Sequence, residues 1–410
     1  MADQPVDTDR ARAAAERAAR DSYGKILAFL ATRWRDVTLA EDALAEAFAS
    51  ALERWPEDGI PASPERWLAT VAHRKLLDNA RHARFRAQPE VLATLSRLEH
   101  AEERSPFPDD RLRLMLVCAH PAIDVAVRPA LLLQTVLGLD VKTIAPAFLL
   151  PADTLNKRLV RAKAKIRQAG IPFEDPEPAD LGERIEALLE ALYAAYFIGR
   201  EGTLAEGDER DELRDEAVGV LRLIAASLPN HSEVLGLLAL VLFCEARRAA
   251  QSTPDGEFVP LLEQDTRQWD PSVLREAYET LGRAAQLGPE GPFQIEAAIQ
   301  AAHCYRARSG VVPWSDIVGL YIKLIEPHPT IGAAVGLAVA SAHADGSPSR
   351  GLEILLTIDA RRVANYQPWW VALAHLHKMA GSDGEAKRAL QRAIGLTTNP
   401  RVRRFLARRG

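Results

Sequence analysis

Between Lys157 and Arg167, six of eleven side chains are cationic (Lys157, Arg158, Arg161, Lys163, Lys165 and Arg167), and no acid follows Asp153 before Gly170. Such a density repels itself, and a nucleic-acid backbone is the sort of polyanion that neutralises it. At helical spacing Lys157, Arg158, Arg161 and Lys165 cover one broad face, while Leu155, Leu159, Ala162 and Ile166 form the opposite, packing face. A solvated charged helix is the bland alternative. The preceding segment favours DNA: a short helix over 141–148 and a turn at 149–151 complete a helix-turn-helix pattern. In that motif the second helix enters the major groove, cations hold phosphates, and side chains near its start reach base edges. Asp153, Thr154, Asn156, Lys157 and Arg158 hold those positions.

Asp42 and Glu46, four apart, form an acidic ridge opposite an apolar stripe. Alone, such a ridge is an ordinary solvated face. Trp67, His73, Arg74, Lys75, Asn79, Arg81 and Arg84 share one helix. Aromatic and cationic groups together suit melted nucleic acid, by stacking and phosphate attraction, although a tryptophan more often belongs to a core. Cys118 and His120 could make half a zinc site, but no second pair stands at ligand spacing. Asp109 and Asp110 lack a nucleophile, a base or a phosphate loop and read as a helix start. We find no catalytic constellation and no cofactor motif, so the chain is expected not to be an enzyme.

The elements that must position these residues are helices. Of the 410 residues 48% are hydrophobic and only 6% aromatic, with abundant Ala, Leu, Arg and Glu, which predicts an all-α chain. The stripe Ala40, Ala43, Leu44, Ala47, Phe48, Ala51, Leu52 follows the helical period, and Thr38 with Glu41 reads as its capping box. Ser63 and Pro64 start the next helix, expected to run to Arg86. Helices are also expected over 110–118, 123–137 and 152–168, the last closed by Gly170. No run approaches about 18 uninterrupted apolar residues. The first twenty residues lack a signal-type apolar core, and the three cysteines suggest no disulfide framework, so a cytoplasmic setting is expected.

Charge is unevenly placed. Residues 1–170 hold 26 Lys and Arg against 23 Asp and Glu, whereas the remaining 240 residues hold 25 against 33. A basic front and an acidic back predict a polyanion partner for the front alone. Residues 87–108 read as an acidic linker, and 171–180, with three prolines, as a second one. From 181 to 410 apolar helical stretches alternate with short breaks. Helix pairs begin near Pro292, Thr330 and Tyr366, spaced close to the roughly 34 residues of a tetratricopeptide repeat.

In order, these pieces resemble a bacterial extracytoplasmic-function sigma factor. "LAEDALAEAFASALERW" is similar to the sigma region 2 helix that docks on RNA polymerase, and "PERWLATVAHRKLLDNAR" to the part that melts and reads the −10 element. "GLDVKTIAPAFLLPADTLNKRLVRAKAKIRQAG" is similar to region 4, which reads the −35 element. "DDRLRLMLVCAHPAI", "EVLGLLALVLFCEARRAA" and "LLEQDTRQWD" resemble a subgroup with a large C-terminal tetratricopeptide-like extension.

The resemblance implies region 2 over 1–86, region 4 over 109–170 and the extension over 181–410. It assigns Asp42 and Glu46 to core polymerase, with Phe48 beneath them. It assigns Trp67, His73, Arg74, Asn79 and Arg81 to the −10 strand, and residues 55–65 to a loop that captures an extruded base. Thr154, Asn156, Lys157, Arg158, Arg161 and Lys165 fall to the −35 element, and the acidic linker to polymerase channels. Core RNA polymerase and promoter DNA are the implied partners, with a protein partner for the extension and no membrane. Two positions depart from the pattern: Ala45 stands where many relatives carry glutamine, and Pro146 interrupts the first helix of the helix-turn-helix, where it removes a backbone bond. The competing classes are a one-component DNA-binding regulator with a sensing domain and a scaffold built on the back half.

Overall fold

The computed structural model describes residues 8–84, 110–148, 150–171, 173, 178–201, 208–397 and 399–409, and the expected acidic linker lies outside them. All named elements among the described residues are helical, apart from one isolated antiparallel bridge, Ser252 to Phe258. The chain divides into two compact units, Met1–Ile198 and Gly199–Gly410.

The first unit contains α1 (Thr8–Trp34), α2 (Val37–Asp58), α3 (Pro64–Arg84), α4 (Asp110–Cys118), α5 (Arg128–Thr135), α6 (Val141–Ile144), α7 (Ala152–Gln168) and α8 (Pro178–Glu201). Ile26, Leu27 and Leu30 of α1, Leu44 and Ala47 of α2, and Leu68, Ala72 and Leu76 of α3 are buried. Two details of α2 differ from expectation. Its cap is Asp36, whose carboxylate accepts from the Leu39 amide at 3.1 Å, so the helix starts before Thr38. Leu52, placed in the core stripe by period, is 48% exposed, because the stripe drifts off the packed face near the helix end. α3 starts at Pro64 as predicted, and Arg86 lies outside the described residues.

α5 is shorter than expected. Residues 119–127 turn through successive backbone bonds (Ile123 N to His120 O, Val127 N to Asp124 O), and Pro129 opens the helix. Arg128, only 3% exposed, pins that turn by donating to the carbonyls of Ile123 and Pro121 and to Glu183 of α8. Gly24 lets α1 meet the end of α5: a Cβ there would lie 1.9 Å from the Val136 carbonyl oxygen. Beyond the proline-rich stretch, α8 still belongs to this unit, since Arg184 donates to Leu116 O at 3.1 Å. The compact unit therefore runs past the expected linker at 171–180.

The second unit holds α9 (Asp208–Ser227), α10 (Ser232–Glu245), α11 (Pro271–Ala285), α12 (Pro292–Cys304), α13 (Trp314–Ile325), α14 (Ile331–Asp345), α15 (Pro348–Leu356), α16 (Gln367–Met379), α17 (Asp383–Leu396) and α18 (Pro400–Ala407), with one-turn pieces between. α10 is apolar all round and buried from Val234 to Cys244, the mark of a central helix. α11 and α12 pack on it, and Glu233 caps α12 by accepting from the amides of Phe293 and Gln294 at 2.9 and 3.2 Å. Successive pairs α12/α13, α14/α15 and α16/α17 start where the breaks at Pro292, Thr330 and Tyr366 indicate. The 251–270 loop is held from both sides. Arg306 donates to the carbonyls of Leu261, Leu262 and Gln264, while Phe405, Arg408 and Arg409 meet Phe258, Glu257 and Glu263.

Candidate nucleic-acid interface

α7 follows the predicted bounds. Leu155, Leu159, Ala162 and Ile166 are buried, while Thr154, Asn156, Lys157, Arg161 and Lys165 are exposed and Arg158 is half-buried. Lys157, Arg158, Arg161 and Lys165 make no ion pair among the described residues. Lys163 differs: its Nζ meets both oxygens of Glu41 on α2, at 2.6 and 2.9 Å, and both side chains are largely shielded. One cation of the six thus fastens the helix, and a row of others faces solvent.

Before α7 the chain makes one α-helical turn, Val141–Ile144, and then a 3₁₀ turn, Ala145–Phe148. The switch falls at Ala145, just before Pro146, whose missing amide cannot continue the α-helical ladder, so the expected helix over 141–148 changes type half-way. Asp140 caps α6, accepting from Lys142 N at 2.6 Å and Thr143 Oγ1 at 2.7 Å. Burial raises its pKa, but the Thr143 hydroxyl and the two amides outweigh burial and hold the carboxyl below its ordinary range. The turn into α7 ends at Pro151, whose carbonyl accepts from Thr154 and Leu155.

On α3 the expected strand-facing residues separate into two sets. Arg74 and Asn79 are exposed. Trp67 is half-buried and packs edge-on against Trp55, with ring centroids 5.5 Å apart. His73 Nδ1 accepts from Trp34 Nε1 at 3.3 Å, and burial, then Arg33, lowers its pKa. Trp67 and His73 therefore have packing duties inside the unit. Arg81 lies on α3 with its side chain outside the described residues. Sequence reasoning passed over Arg66 and Thr70, which are exposed at four-residue spacing on the side of Arg74. That i, i+4, i+8 spacing was the available signal.

On α2, Asp42 and Glu46 are exposed as expected, Phe48 is half-buried, and Lys75 of α3 pairs with Glu46 at 3.0 Å. Ala45, where the departure was noted, lies exposed beside them. Leu39 and Leu52 flank the ridge, so this face is partly apolar. Cys118 is fully buried, and burial pushes its thiol up to about 12. His120 Nδ1 accepts from the Ala122 amide, a turn-forming role. No group of three or more candidate metal ligands occurs among the described residues.

A family model for sigma-70 region 2 matches residues 19–86, covering most of α1 with α2 and α3. A 172-residue match at 27% identity joins the chain to "ECF RNA polymerase sigma factor SigC" of Mycobacterium tuberculosis (strain CDC 1551 / Oshkosh), covering 42% of this chain and 86% of that protein. The "Probable RNA polymerase sigma-C factor" of Mycobacterium bovis (strain ATCC BAA-935 / AF2122/97) matches equally. The chain belongs to the extracytoplasmic-function sigma factors. Its large additional C-terminal region is matched over residues 184–285 by a family of unknown function, DUF6596. An uncharacterized protein of Rhizobium meliloti (strain 1021), R00370, is 34% identical over 373 residues, 89% of this sigma factor and 88% of its own length. No solved structure matches. No described helix is long and apolar enough to cross a membrane.

Proposed function

We propose that this sigma factor binds core RNA polymerase through the α2 face around Asp42 and Glu46 and directs transcription from promoters that α3 and α7 read. The observation that carries the reading is the exposed cationic row Lys157, Arg161 and Lys165, unpaired among the described residues, on a helix whose opposite face is buried. An uncompensated row of that kind is neutralised by phosphates, and Thr154, Asn156 and Arg158 stand at the helix start, where base edges are reached. The α6 to α7 segment acts as the helix-turn-helix, with the 3₁₀ turn at Pro146 as its local variation. Arg74 and Asn79, joined by Arg66, hold the −10 strand, and Trp67 and His73 support them from within. The C-terminal region regulates this activity and offers a surface to a protein partner.

The test is run-off transcription with purified core polymerase on genomic fragments, comparing the full chain with a chain ending at Glu201, the end of α8. Promoter-specific transcripts from the full chain are expected, and the difference between the two gives the sign of the regulation. Failure of both chains to bind core polymerase would overturn the reading in favour of a one-component regulator.

A further inference from the structure

The two helices proposed to read the promoter, α3 and α7, belong to one compact unit, Met1–Ile198, whose front and back are fastened together. Lys163 of α7 donates to both carboxylate oxygens of Glu41 on α2, at 2.6 and 2.9 Å, and the two side chains are only 14% and 19% exposed. Glu41 directly precedes Asp42, so α7 is held close to the ridge proposed to meet core polymerase. Packing of α7 on α2 and of α4 on α1 extends the seam. Backbone closes it at one more place. The Val136 carbonyl fills the space that a Cβ on Gly24 would need, and Gly138, at a φ of 66°, lies against the Tyr23 ring. Helices α1 and α2 are thus joined to the segment from α4 to α7.

This seam conflicts with the span of a promoter. A compact body the length of residues 1–198 has a radius of gyration of about 16 Å and is therefore about 40 Å across. The −10 and −35 elements, by their positions, are centred about 25 base pairs apart, which is about 85 Å at the rise of B-form DNA. Inside one such body α3 and α7 reach one element or the other, never both. The contacts across the seam must part before both are read. An ion pair suits a seam that opens, because each charged end regains water when its partner leaves, which keeps the net loss small.

We propose that this is a closed, self-restrained form of the sigma factor, in which Glu41 and Lys163 latch α7 to the polymerase-docking helix α2 and core polymerase selects the open form. The proposal rests on the roles assigned to α2, α3 and α7 under the proposed function and adds their regulation. A ligand that binds only the open form has its affinity reduced by the fraction that is open. The latch therefore sets how readily the chain enters the holoenzyme. It also gives the cations of α7 separate duties: Lys163 restrains the helix from within, and Lys157, Arg161 and Lys165 stay outward for DNA.

The experiment is energy transfer between dyes on the full chain, at Lys25→Cys on α1 and Gln168→Cys at the end of α7, both exposed positions, while the three native cysteines are buried. Transfer should be high in the free chain and should fall when purified core polymerase is added, before any DNA. Lys163→Met should lower transfer in the free chain and tighten core binding roughly tenfold. Lys163→Arg, which keeps the pair, should restore both readings. Core binding is measured separately, so two failures are told apart. If core binds and the holoenzyme transcribes while transfer stays high, the closed form is overturned and the functional reading stands. If the unaltered chain does not bind core, the functional reading fails and takes this proposal with it. Low transfer in the free, undisturbed chain also contradicts the closed form, whether or not the Lys163 variants fold, and a folded Lys163→Met chain that changes neither reading removes the latch.

Discussion

Arginine and lysine do opposite work in α7 and in the helices around α10. On α7, Lys157, Arg161 and Lys165 project into solvent with no acid partner among the described residues, held there by an apolar face that fixes the helix. Around α10, cations are structural. Arg214, 6% exposed, meets Glu245 at 2.6 Å, and Arg248 joins Asp211, Asp215 and Glu245, which together hold Arg248 above its ordinary pKa against burial. The same side chain serves as surface charge when its helix lacks acids nearby, and as a fastener when acids lie on the neighbouring helix. Charge counts alone do not separate the two uses; position relative to the buried face does.

The largest expected effect is at a fastener. Arg214→Ala leaves the shielded Glu245 without its closest partner and should destabilise the second unit by about 3–5 kcal/mol, read by urea denaturation. A loss below about 1 kcal/mol would mean that Arg248 compensates and that the network is redundant.

Acid should act on the same unit next. His303 is neutral when folded, so the stability this provides is complete above about pH 6.5, its unfolded value, and is lost as the pH falls towards 4. The shift corresponds to about 3 kcal/mol. Denaturation midpoints measured from pH 7 to pH 4 should fall over that window, and His303→Gln should flatten the fall.

A smaller effect belongs to the one α7 cation that behaves like those of the second unit. A double-mutant cycle on Glu41 and Lys163 should give a coupling of about 1–2 kcal/mol, since two charge-assisted bonds are shielded from solvent. Smallest of all, Lys157→Ala with Arg161→Ala should change thermal stability by less than about 0.5 kcal/mol, because neither side chain has an ion-pair partner among the described residues.

Much of this was legible in the sequence, for identifiable reasons. The bounds of α7 follow from an unbroken apolar period between Pro151 and Gly170, whose φ of 59° is the left-handed conformation that ends helices. The helix starts at Pro64 and Pro292 likewise follow from a proline in the first turn, and the start at Thr330 from its own hydroxyl, which accepts from the Ala333 amide. What escaped is non-local. Lys163 and Glu41 lie 122 residues apart, and nothing in either segment marks them as a pair. Arg184 ties α8 to Leu116, so the first unit continues beyond the prolines that seemed to end it. At the candidate interface, type and spacing found the exposed face of α7. They could not tell that Trp67 and His73 are engaged by Trp55 and Trp34, because a helical period does not say what faces a half-buried ring.

The central claim, that the exposed α7 row holds promoter phosphates, is tested most directly by the salt dependence of promoter binding. The polymerase holoenzyme formed with the full chain should be compared with one carrying Lys157→Ala and Arg161→Ala. The account predicts unchanged assembly with core polymerase, weaker promoter binding, and a slope of log affinity against log salt reduced by about 1 for each cation removed. An unchanged slope, with promoter affinity intact, would show that the row does not touch DNA and would contradict the account.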